Sequence, residues 1–150
     1  MRRLVGTLVL TIVLSACVSH PVGPARTFGK YEGKARTTAE SALSEVQTAR
    51  LVAHTAARGS AFGPYTGLVL SDAEESLGGL ASTFGSIQPP DARADKVRDD
   101  LRSIIGEAEE HVADVRIAAR RGQLRTLTDV AAPLDDDIKA LQSFLSAHGA

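Results

Sequence analysis

Beyond a short greasy N-terminus, apolar residues along this chain recur at alternating intervals of four and three, the signature of helices with one buried stripe. From Tyr31 to Arg58 the stripe is Ala35, Ala39, Ala42, Val46, Ala49, Ala53 and Ala56, widened by Leu43, Val52 and Ala57. Gly59 ends it, and the turn-forming run Gly59-Ser60-Ala61-Phe62-Gly63-Pro64 follows. A second segment carries Leu70, Ala73, Leu77, Leu80, Phe84 and Ile87, and Pro89-Pro90 stops it. Gly67, Gly78, Gly79 and Gly85 make this segment depend on packing more than its neighbours do.

Asp91 stands in the N-cap region of the third segment, with Asp95 in its first turn. Its stripe is Ala94, Val97, Leu101, Ile104, Ala108, His111, Val115 and Ala118, supported by Ile105, Val112 and Ala119. Arg116, Arg120 and Arg121 suit the negative end of its dipole, and Gly122 is the stop. A fourth segment runs Leu124, Leu127, Ala131, Leu134, Ile138, Leu141 and Leu145, with Pro133 inside it. Either the helix kinks there or a new one starts at Pro133 with Asp135, Asp136 and Asp137 behind it. The uninterrupted phase favours one kinked helix. Four helices joined by short turns predict an all-α chain, an up-down-up-down four-helix bundle over residues 30–150. The first helix offers mostly alanine to the core and the others Leu, Ile and Phe, so small faces large.

The N-terminus changes the picture. Arg2 and Arg3, an apolar run from Leu4 to Leu14, and small residues at 15 and 16 have the order of a secretory signal peptide over residues 1–16. The run is too short to span a bilayer of about 30 Å as a helix. Leu14-Ser15-Ala16-Cys17 resembles the lipobox of bacterial lipoproteins, which implies lipidation of Cys17 as the first mature residue. Residues 17–29, with Pro21, Gly23, Pro24 and Gly29, read as the lipidated cysteine and a flexible tether. Cys17 is the only cysteine, so no internal disulfide is expected.

Charge and chemistry narrow the function by exclusion. Without residues 1–16 there are 15 basic against 18 acidic side chains, a net charge of −3, and nucleic acid is a poor partner. The only methionine is Met1, so His/Met haem ligation is not expected in the mature chain. His20 lies in the tether and His148 at the C-terminus. His54 and His111 sit at heights differing by about 9 Å on parallel helices, too far apart to share one metal. Ala108 stands where a Glu-x-x-His motif would need glutamate. His111 is read instead as a hydrogen-bonded, partly buried side chain. No Gly-x-Ser-x-Gly elbow or phosphate-binding glycine loop is present. No cofactor, no metal and no enzymatic activity are expected.

The cations Arg50, Arg58, Arg116, Arg120, Arg121 and Arg125 fall near one end of such a bundle, far from the anchor. Dipole compensation accounts for Arg58, Arg120 and Arg121 but not for Arg125, near the start of the fourth segment. Leu51 and Ile117 fall on outward faces near the same end.

Three stretches (Tyr31 to Glu40, Arg58 to Tyr65, and Gln88 to Asp91), with Arg116 to Gly122, resemble a family of uncharacterised lipoproteins of high-GC Gram-positive bacteria. The resemblance implies a helical domain on the outer face of the cytoplasmic membrane. It also implies that the phenylalanine loop and the arginine turn recur as surface features; together with the charge placement at that end, the expected partner surface is Phe62, Tyr65, Arg116, Arg120, Arg121 and Arg125. The expected role is a non-catalytic envelope scaffold or accessory protein whose partner is a protein or an anionic envelope polymer. The alternative is a carrier of a small apolar ligand along the alanine seam.

Overall fold

The computed structural model describes residues 25–149, so the expected signal peptide, Cys17 and His20 lie outside the described residues. Five α-helices pack together: α1 Phe28–Ala57, α2 Gly63–Gly85, α3 Ala92–Arg120, α4 Leu127–Val130 and α5 Leu134–Ala147, with a 3-10 turn at Leu124–Thr126 before α4. No strand occurs among the described residues.

Local chemistry fixes the ends. The Thr27 hydroxyl accepts from the Lys30 amide at 3.4 Å at the start of α1, and Asp91 accepts from the Arg93 and Ala94 amides, both at 3.1 Å, at the start of α3. Helix α1 thus begins inside the stretch read as tether, and Ala25 ahead of it is already buried. Gly59 and Gly122 close α1 and α3 at φ of 75° and 76°, the left-handed region a side chain disfavours. At each, two amides turn back to the helix: Gly59 to Ala56 and Ser60 to Thr55, then Gly122 to Ala119 and Gln123 to Ala118. The loop after α1 is shorter than composition suggested, because α2 already starts at Gly63 with Pro64 in its first turn.

The stripes bury largely as spaced, with Leu80, Leu124 and Leu145 only partly covered and with one shift. All seven stripe residues of α1 are buried, six of them alanine. On α3, Ile105 and Val112 are fully buried whereas Ile104 and His111 are only partly so; the face is rotated by one position from the predicted stripe. Contacts set neighbours side by side in opposite directions. On α2 and α3, Glu74 meets Arg116, Gly78 faces Glu109 and Gly85 faces Arg102. Between α1 and α5, Arg50 meets Asp135 and Glu32 meets His148.

The fourth segment corrects the sequence reading. It is not one kinked helix. Residues 131–133 form a turn built from Ala132 to Asp129 and Leu134 to Ala131 amide bonds, and α5 starts afresh at Leu134. Proline lacks an amide hydrogen and its ring crowds the preceding turn, so Pro133 sits before α5 instead of within a helix. Leu127, Ala131, Leu134, Ile138 and Leu141 are all buried on either side of the break.

Candidate functional site

The joint between α1 and α2 carries the most conspicuous surface. Five large hydrophobic residues are exposed among the described residues: Leu51, Phe62, Tyr65, Leu68 and Ile117. All lie toward the end where α1 and α3 finish and α2 begins. Phe62 is 67 % exposed, Leu51 64 % and Leu68 60 %. Phe62 is the residue before α2 and offers no side-chain cap; its ring lies 6.0 Å from that of Tyr65. Phe62, Tyr65 and Leu68 follow at intervals of three, a ridge along the first two turns of α2.

An open groove flanks each side of that ridge. One, of about 410 Å³, lies between α1 and α2 and is lined by Leu51, Val52, Ala61, Phe62, Tyr65 and Val69, with Thr48 and Thr55. The hydroxyls of Thr48 and Thr55 donate to the carbonyls of Ser44 at 2.9 Å and Leu51 at 2.8 Å, so neither brings a free donor to the groove. The other groove, of about 490 Å³, runs between α2 and the end of α3 and brings Leu68 and Pro64 beside Arg120 and Gly122.

The arginines divide into two groups. Arg116 is not presented with the rest: it forks onto Glu74 of α2, its Nη2 donating to Oε1 at 3.1 Å, and the pair is largely covered. The Glu74 hydrogen bond and charge raise the Arg116 pKa above its ordinary value, against a partial loss of hydration. Arg50 pairs with Asp135 across α1 and α5. Arg58, Arg120, Arg121 and Arg125 are exposed, and among the described residues none of them has a carboxylate within 4.0 Å.

Leu68 was missed by the sequence reading. Its only signal is a leucine two residues before Leu70, where the second stripe begins, and so on the opposite side from that buried position.

Two titratable pairs lie elsewhere, both holding α5. His111 Nδ1 is 2.8 Å from Asp137 Oδ2, and Asp137 is one of two buried polar residues among the described ones. Burial pushes the Asp137 carboxyl above its usual range, opposed by its hydrogen bond and charge interaction with His111. His148 is held against the bundle: its Nδ1 is 2.9 Å from Glu32 Oε1 and its ring centroid lies 4.4 Å from that of Phe144, the two planes tilted by 42°. At the same end the Tyr31 hydroxyl is buried without a hydrogen-bond partner, its ring 5.3 Å from Phe84. Burial raises its pKa as well. Among the described residues no group of three or more His, Cys, Asp or Glu is placed to hold a metal. No described helix is long and apolar enough to cross a membrane.

These features define a helical bundle whose distinctive surface is apolar and cationic. No family model matches the chain, and comparison with curated proteins and with solved structures found no match.

Proposed function

We propose that the chain is a lipid-anchored, non-catalytic scaffold or accessory binding protein on the extracytoplasmic face of a cell membrane. The bundle is read as up-down-up-down, with α1, α2 and α3 as three arms and the α4–α5 segment, broken at Pro133, as the fourth. The opposed neighbour contacts support that topology. The observation that carries the binding role is the gathering of Leu51, Phe62, Tyr65 and Leu68 beside exposed Arg58, Arg120, Arg121 and Arg125. Monomeric proteins seldom expose large apolar residues in one cluster unless something covers it.

Anchoring rests on Leu14-Ser15-Ala16-Cys17 and the resemblance to lipoproteins of high-GC Gram-positive bacteria. Two acyl chains on Cys17 would hold the chain stably where a single chain binds marginally. Anchoring at Cys17 leaves the start of α1 near the lipid and the Phe62 end away from it.

Native mass spectrometry of the protein extracted from its own membranes tests this reading. The expected mass is the chain from Cys17 plus acyl groups, and Cys17→Ala is expected to leave the membrane fraction. A chain that retains Met1 without lipid would overturn the anchor. A small apolar molecule bound in stoichiometric amount would favour the carrier instead.

A further inference from the structure

We infer that the apolar ridge of α2 and its grooves receive an acidic amphipathic helix of another protein. This rests on the binding role proposed above and specifies the chemistry of the partner. Phe62, Tyr65 and Leu68 span about 9 Å along α2, close to two turns of a helix laid beside it. Leu51 faces the ridge across a groove of about 410 Å³, wide enough to seat an apolar side chain.

Charge selects the partner. Arg120 shares a groove with Leu68, Arg58 precedes Phe62 by four residues, and neither cation has a carboxylate of this chain within 4.0 Å. A helix that fills the grooves with apolar residues and carries Asp or Glu on its flanks meets both features at once.

Other occupants satisfy only one of them. An anionic polymer without apolar groups would engage the arginines and leave the ridge in water. A second copy would seat the ridge Phe62, Tyr65 and Leu68 in these grooves, and residues 62–68 carry no carboxylate to meet the arginines. A bilayer meeting the bundle end-on would touch Arg58 and Arg121 first. Leu51 lies seven residues before Arg58, about 10 Å back along the side of α1.

Photocrosslinking of the full lipidated chain in its own membranes tests the inference. The photoreactive p-benzoylphenylalanine replaces Phe62 or Leu68, and Glu40, exposed on α1, serves as the control position. The expected product is a protein adduct at 62 and 68 but not at 40. The crosslinked peptide should be acidic with apolar residues at intervals of three and four, and Arg120→Glu with Arg121→Glu should lower the yield at least fivefold. A lipid adduct, an adduct of two copies, a yield indifferent to charge reversal, or no adduct above the control would each overturn the inference. Membrane flotation of the same samples reports anchoring separately, so loss of the anchor and loss of the partner are distinguishable.

Discussion

Asp137 is held by competing forces. Its carboxylate is buried beside His111, with Glu107 on α3 and Asp136 on α5 adding negative charge nearby, and burial outweighs the favourable histidine contact. Because its folded pKa is raised, Asp137 contributes stability that is present below the unfolded value of about 3.9 and is lost as pH rises through the folded value. Asp137→Asn removes that titration. Urea unfolding should therefore show the variant gaining on the parent as pH rises above about 4, and a constant difference would contradict it. Tyr31 makes a similar point without a charge. Its buried hydroxyl has no partner, so Tyr31→Phe should change stability by less than about 1 kcal/mol, or raise it. Tyr31→Ala, which empties ring volume packed against Phe84, should cost about 3–5 kcal/mol in the same measurement.

Among the elements, α1 and α3 end in the same device. Gly59→Ala or Gly122→Ala places a side chain where φ is 75° or 76°, and each should cost about 1–2 kcal/mol, read as a lower thermal midpoint. The alanine face of α1 packs without spare room, since Ala39 and Ala42 are fully buried; Ala42→Leu should destabilise by about 1–3 kcal/mol through overpacking. The three long helices α1, α2 and α3 were legible in the sequence because stripe and stop agreed in each, and Asp91 added a cap to α3. The fourth segment was not. Spacing of three and four continues from Leu127 to Leu141 whether the backbone is one helix or two, so periodicity cannot report the turn at residues 131–133. Likewise the spacing of α3 allowed either Ile104 or Ile105 to face inward, and only packing against the other helices decided for Ile105. The candidate surface was legible in Phe62, Tyr65 and the unexplained Arg125. The separation of Arg116 was not, because its partner Glu74 is distant in sequence and is brought close only by the α2–α3 contact.

For the whole molecule, that separation divides the arginines by role. Arg116→Ala removes one partner of a largely covered pair between two helices and should lower the thermal midpoint, whereas Arg121→Ala should stay within about 0.5 kcal/mol of the parent. The opposite split is expected for partner capture. Equal stability losses in the two variants would show that Arg121 is structural after all. A last consequence follows from α1 being a single unbroken helix of 30 residues. Leu51 lies 23 residues beyond Phe28, which places the ridge about 35 Å from the start of α1. On the anchoring proposed above the molecule acts as a spacer: α1 alone separates its lipid-proximal end from the ridge, so a partner engaging that ridge must reach the far end of the helix.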